Sequence, residues 1–207
     1  MKVIGINGSP KKDGNTASVL KAMAEELASA GIETEILHIG AAVKHGCTGC
    51  GGCSKTENGL CIYTDDIVNE AALKMREADG IILGSPVYYS GIAGNMKSFL
   101  DRAFYTSSGY FKYKVGAAFA VARRTGGSDT FHQLCNYLLF SGMIVPPYQY
   151  WGAVYGRTPG EVTADLEGMQ TMRYAAKDMA WLLKTLEAGK DIPKPEKGPK
   201  ISMNFIR

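Results

Sequence analysis

Apolar positions along the chain fall into two alternating kinds of run. Short, nearly continuous β-rich stretches occur at 2–7 (KVIGIN), 33–39 (ETEILHI), 80–86 (GIILGSP) and 114–122 (KVGAAFAVA). Between them, apolar residues recur at helical spacing. From Thr16 to Ala30 the repeat is Val19, Leu20, Met23 and Leu27, stopped by Gly31. Over 64–78 it is Ile67, Ala71, Leu73 and Met75, with Thr64 as a candidate N-cap. Further helices are predicted from 94 onward and from the Gly126-Gly127 pair to about Leu139. A fifth strand lies within 143–155, broken by Pro146-Pro147. A long helix over 164–187 closes the pattern, with Leu166, Met169, Met172, Ala176, Met179, Leu182, Leu183 and Leu186 on its repeat. No segment repeats internally.

Five strands alternating with helices predict an α/β, doubly wound, five-stranded parallel sheet with helices on both faces. The loops after strands one, three and four then converge at the carboxyl edge of the sheet, where open α/β folds bind ligands. At 207 residues the chain suits one domain over 1–188, with residues 40–64 as a cysteine-rich loop insertion and 189–207 as a tail. The tail is poor in apolar residues, with Met203, Phe205 and Ile206 as its candidate anchors.

Composition narrows the partners. A net charge of +3 without a basic run gives no argument for nucleic acid. No stretch approaches the roughly 18–20 apolar residues of a membrane helix, and the N-terminus lacks the pattern of a signal peptide. A cytoplasmic location is expected, where clustered cysteines more often serve metal or redox chemistry than disulfides.

The loop GSPKKDGNTAS after the first strand offers Ser9, Asn15, Thr16 and Ser18, with Gly8 and Gly14 for tight turns and Lys11 and Lys12 for charge. Exposed N–H groups at the start of the next helix favour a phosphate. The loop lacks the spacing of a Walker motif, since five residues separate Gly8 from Gly14 and Asn15-Thr16 follows. After the third strand, GSPVYYSGIAGNMKSFLDR supplies Pro86, two tyrosines with flat surface, and Gly91 and Gly94 for close backbone approach. After the fourth, ARRTGGSD supplies Thr125, Gly126, Gly127 and Ser128. Taken singly, each is also what a plain turn or loop packing requires. One phosphate cradle and two loops for a planar ring, at one sheet edge, suit a mononucleotide with a large heterocycle.

On GSPKKDGNT, GSPVYYSGIAGNMKSFLDR and the glycine pair, the chain resembles the flavodoxin-like NADPH-dependent FMN reductase family over about residues 1–185. The resemblance implies FMN, with Ser9, Lys11, Asn15, Thr16 and Ala17 around its phosphate. Pro86, Val87, Tyr88 and Tyr89 would border the isoalloxazine ring, and Thr125, Gly126 and Gly127 its other side. It also implies a homodimer or homotetramer.

Four of the five cysteines, Cys47, Cys50, Cys53 and Cys61, follow the spacing C-x2-C-x2-C-x7-C among five glycines. Thiolates at such gaps can hold a [4Fe-4S] cluster, and the bacterial ferredoxin run also begins C-x2-C-x2-C. Within the family this pattern, like the C-terminal NFIR, resembles the iron–sulfur flavoproteins, which implies a cluster beside FMN. A loop of free thiols, a zinc site and a disulfide stand as other readings of the same residues. Cys135, in an apolar helical pattern, is expected to be a buried structural residue. His132 lacks a companion at metal spacing and is read as a helix residue at the site's edge. His45 beside the cysteine loop is an alternative ligand, and Asp65-Asp66 is read as helix capping.

The expected function is redox chemistry on the flavin. Electrons enter from NAD(P)H as hydride, or singly from a ferredoxin-like donor, and leave to a small-molecule or protein acceptor. A non-enzymatic electron carrier that docks to redox proteins is the alternative, and a nucleotide sensor without redox chemistry a third reading.

Overall fold

The computed structural model describes residues 1–199, 201 and 203. The chain runs β1 (Lys2–Asn7), α1 (Asn15–Ser29), β2 (Glu33–His38), α2 (Val68–Glu77), β3 (Gly80–Tyr88), β4 (Gly91–Ile92), α3 (Gly94–Phe111), β5 (Val115–Ala122), α4 (Gly127–Phe140), β6 (Ala153–Tyr155) and α5 (Leu166–Ala188). Short 3-10 turns lie at Gly40–Ala42, Gly52–Lys55 and Glu161–Ala164. The sheet order is β2-β1-β3-β5-β6 with every pair on this path parallel, and the two-residue β4 folds back antiparallel on the end of β3. This is the doubly wound α/β architecture that the strand–helix alternation predicts, with β4 added.

The period-two alternation of the strands divides the core. Ile4, Ile6, Ile81, Leu83, Ala118 and Ala120 pack under α2, α3 and α4. Their neighbours Val3, Ile82, Ala117, Phe119, Val121 and Val154 face α1 and α5. A strand buried on both faces reads as a continuous apolar run, which is why β1, β3 and β5 stand out in the sequence. The last strand is interrupted: Ile144 makes an isolated parallel bridge to Val115, Pro146-Pro147 follow, and pairing resumes only at Ala153. A proline has no N–H for the ladder.

Helix α2 begins at Val68, later than a Thr64 cap places it. Asp66 Oδ1 accepts from the Val68 N–H at 3.2 Å, so the capping role falls to Asp66. Beyond α5, residues 193–199 have no regular secondary structure and are exposed. Met203 is exposed, while Phe205, Ile206 and the rest of 204–207 lie outside the described residues.

One glycine fixes how closely β3 passes under the first loop. A Cβ at Gly84 would stand 2.5 Å from Phe119 Cζ and 3.0 Å from Thr16 Cγ2, and the Gly84 carbonyl accepts from the Gly8 N–H at 2.9 Å. Gly84→Ala is expected to destabilise the chain by about 1–3 kcal/mol through overpacking. A lower urea midpoint at unchanged slope would show it; an unchanged midpoint would show that Phe119 yields freely.

Candidate functional site

The carboxyl edge of the sheet carries a built cradle. Asn7, the last residue of β1, accepts from the Ser9 N–H at 3.1 Å and donates through Nδ2 to the Lys12 carbonyl at 3.0 Å. Ser9 Oγ accepts from the Lys11 N–H at 3.1 Å, and the Ser9 carbonyl bonds His38 Nε2 at 2.8 Å. These local turns hold the loop open. Helix α1 then starts at Asn15 with Gly14 before it, with no side chain capping its first N–H groups and no acidic residue in its first turn. Such a helix end attracts an anion.

That helix end faces a cavity of about 230 Å³. Of the residues expected around a flavin, Ser9, Lys11, Asn15, Thr16, Pro86, Val87 and Tyr88 line it. Ala17, Tyr89, Thr125, Gly126 and Gly127 do not. Ala17 is buried beneath the cradle, and Tyr89 is fully exposed at φ 50°. Gly126 sits before α4 at φ 81°, where a Cβ would meet Ser90 Cα at 2.8 Å. Gly126 therefore supports the 89–90 turn, two successive non-glycine residues in the left-handed region, while Gly127 packs against Ala153; neither lines the cavity itself.

The cavity also recruits residues that the sequence reading passed over. Arg123 follows β5, while Gly156, Arg157 and Pro159 follow β6. Glu161 orders the latter turn by accepting from the Arg157 and Thr158 N–H groups, both at 2.7 Å, and Asn15 Oδ1 ties it to α1 through the Val162 N–H at 3.3 Å. The signal was topological: the loop after the last parallel strand must reach the same edge as the others.

The cysteine loop forms a second centre. Cys47, Cys50, Cys53 and Cys61 all line one small cavity, walled by Ile62, Tyr63, Arg102, Tyr105 and Thr106. Cys47 and Cys50 are exposed, Cys53 and Cys61 half-buried, and none is in a disulfide. Gly49, Gly51 and Gly59 turn the loop at φ between 66° and 68°. The Gly52 N–H at 3.5 Å, with the Thr48 hydroxyl, holds the Cys50 thiol below its ordinary pKa. Among the described residues, no three His, Cys, Asp or Glu side chains gather closely enough to hold a metal ion. The donor set, four thiols on one cavity in a glycine-rich loop, is of the chemical type that iron–sulfur clusters take.

The loop is anchored from one end of its span to the other. Asn69 bonds the Cys61 N–H through Oδ1 at 3.1 Å and the Cys61 carbonyl through Nδ2 at 2.8 Å. Arg76 donates to the Asn58 carbonyl at 2.8 Å, to Gly59 at 3.3 Å and to Ser107 Oγ at 2.9 Å. Arg102, 1% exposed, pairs with the buried Asp66 carboxylate. Cys135 lies apart in α4, where burial pushes its thiol up to about 11. His132 packs edge-on against Trp151, and His45 edge-on against Tyr63.

A further cavity of about 710 Å³ lies elsewhere, between α3 and α4, lined by aromatic residues including Phe104, Tyr105, Tyr137 and Phe140. It has no phosphate cradle and belongs to the outer surface of the helices.

A family model described as NADPH-dependent FMN reductase matches residues 1–157. The chain is 40% identical over 195 residues to an iron–sulfur flavoprotein of Methanocaldococcus jannaschii, covering 90% of this chain and 100% of that one. It is 33% identical over 196 residues to an iron–sulfur flavoprotein of Methanosarcina thermophila, covering 92% and 100%. Among solved structures, a flavodoxin from the domain Archaea superposes with a TM-score of 0.59 at 17% identity, covering 89% of this chain and 99% of that one. That last likeness concerns the flavodoxin-like fold.

Proposed function

The chain belongs to the NADPH-dependent FMN reductase family, and from that premise we propose that it binds FMN at the carboxyl edge of the sheet and passes electrons through it. The observation that carries this reading is the uncapped start of α1 opening into the cavity lined by Ser9, Lys11 and Pro86–Tyr88.

In this proposal the N–H groups at Asn15, Thr16 and Ala17 hold the phosphate, Lys11 offsets its charge, and Pro86, Val87 and Tyr88 border the ring. Gly126, seated against Ser90, would support the 89–90 turn beside the ring. Arg123 and Arg157 add positive charge at the cavity. Bound FMN would supply the hydride and single-electron chemistry; the protein supplies position, hydrogen bonds and shelter from water. Cys47, Cys50, Cys53 and Cys61 would hold a [4Fe-4S] cluster, which supplies one-electron transfer when bound. The likeness to iron–sulfur flavoproteins and the cavity shared by the four thiols support that assignment. The unpaired thiols suit a reducing compartment, and we place the chain in the cytoplasm.

The donor is NAD(P)H or a ferredoxin-like protein, and the acceptor a small molecule or protein. A reductase oxidises NAD(P)H when FMN-loaded protein is mixed with a small acceptor such as a quinone. Flavin retention with negligible NAD(P)H oxidation would instead mark the chain as an electron carrier.

Leu139 and Phe140 are 60% and 87% exposed on α4, next to Tyr105 on α3. Apolar exposure of this kind marks an interface, and we assign it to a homodimer or homotetramer. Phe140→Glu is expected to shift the chain to monomer in light scattering after size exclusion. A wild-type monomer, or an unchanged oligomer in the variant, contradicts the assignment.

A further inference from the structure

Among the described residues, the largest fully buried side chain is a charged one, Arg102 of α3. Its guanidinium is divided among three partners in the cysteine loop and Asp66 just beyond it. Nε donates to Cys61 Sγ at 3.4 Å, Nη2 to the Tyr63 carbonyl at 2.9 Å, and Nη1 to the His45 carbonyl at 3.3 Å and to Asp66 Oδ2. His45 precedes the first cysteine and Cys61 is the last, so one side chain fastens both ends of the loop to one helix. The Asp66 carboxylate also accepts from the Lys44 and Val68 N–H groups, both at 3.2 Å, and it does not line the thiol cavity, whereas Arg102 does. The cavity lined by the four thiols therefore meets the positive edge of the pair.

A role confined to tying two carbonyls together needs no charge. Neutral donors bond carbonyls without the desolvation that a buried ion pair incurs. A planar fork that reaches sulfur, carboxylate and carbonyls together is specific to arginine. Charge beside sulfur also has an electrical consequence. Taking up one electron makes a four-thiolate cluster one unit more negative, and a buried cation next to a ligand sulfur favours that reduced state. Charge, hydrogen bonds to sulfur and burial are the means by which a protein tunes such sites.

We propose that Arg102 is a positioning residue of the thiol site: it closes the 45–61 loop so that the four cysteines face one cavity, and it raises the reduction potential of the cluster they hold. This rests on the cluster reading of those cysteines. The test uses the full FMN-loaded chain, reconstituted without oxygen with iron and sulfide, as wild type, Arg102→Lys and Arg102→Gln. Two quantities are read: the midpoint of one-electron reduction by dithionite, and the rate of iron release to a chelator.

Arg102→Gln is expected to lower the midpoint and to release iron about ten-fold faster, as loss of an outer-shell partner does. Arg102→Lys keeps the charge but cannot reach all the partners. It should release iron faster while its midpoint stays near that of wild type. Wild-type protein holding about four irons, with Arg102→Gln matching it in midpoint and release, overturns the inference alone. Faster release at an unchanged midpoint overturns the electrical half. A wild type that takes up no iron overturns the cluster reading and the inference with it. If Arg102→Gln does not fold, Arg102→Lys decides, and a release rate equal to wild type overturns the proposal.

Discussion

Alanine at both Asn15 and Thr16 is expected to weaken FMN binding about 100-fold. Both residues open α1 and line the cavity beneath the first loop, and both are nearly buried, at 9% and 2% exposure. A hydrogen bond to a charged group contributes about 1.5–3 kcal/mol, so losing two donors to a phosphate removes about 3 kcal/mol at the low end, or two decades in Kd. The backbone N–H groups of α1 remain, and with them the helix-end attraction for an anion. The double variant should therefore bind weakly and not lose binding altogether. Asn15 also holds the turn after β6 through the Val162 N–H. Thr16→Ala alone, expected to cost about ten-fold by the same arithmetic, separates the phosphate contribution from that tether. Fluorescence titration of flavin-stripped protein with FMN reads both variants. An unchanged Kd in the double variant removes the cradle assignment.

The second large effect is on stability. Asp66→Ala leaves the Arg102 guanidinium buried without its counter-charge, and breaking such a pair is expected to cost about 3–5 kcal/mol. For a chain of this size each kcal/mol moves Tm by about 2–4 °C, so a fall of roughly 10 °C or more should appear in thermal unfolding. The pH dependence has a definite sign. Burial pushes the Asp66 carboxyl up, but the Arg102 guanidinium and the Lys44 and Val68 N–H groups outweigh it, and the net shift is downward. A carboxyl lowered in the folded state contributes stability that is fully present above its unfolded value of about 3.9. That contribution disappears as pH falls through the lower folded value. The gap between wild type and Asp66→Ala should thus be constant from pH 5 to 8 and narrow only in stronger acid. A gap that closes near neutral pH, or a variant as stable as wild type, contradicts the pairing.

What could be read from the chain, and what could not, follows from the range of each interaction. Strands β1, β3 and β5 are buried on both faces and announce themselves as apolar runs, which is enough to fix the parallel sheet and the edge where its loops gather. The cradle is equally local, since Asn7, Ser9, Lys11, Lys12 and the start of α1 lie within ten residues. The loop after β6 was hidden because its strand is three residues long and follows a proline interruption, leaving no pattern to point at Gly156 and Arg157. The glycine pair 126–127 was legible as a turn, but its use, seating Gly126 against Ser90, depends on a neighbour 36 residues away. Asp66 shows the same division. Its capping of α2 is a two-residue affair and could be anticipated, whereas its pairing with Arg102 spans 36 residues and has no local signature.

The central claim is that one chain carries FMN at the sheet edge and a cluster on its four loop cysteines. The most direct measurement is an absorbance spectrum of protein purified without oxygen, with flavin, iron and acid-labile sulfide counted on the same sample. One FMN per chain, broad absorption near ~400 nm and about four irons with matching sulfide are the expected result. Protein that, even after reconstitution with both, takes up only one of FMN and iron, or neither, would contradict it.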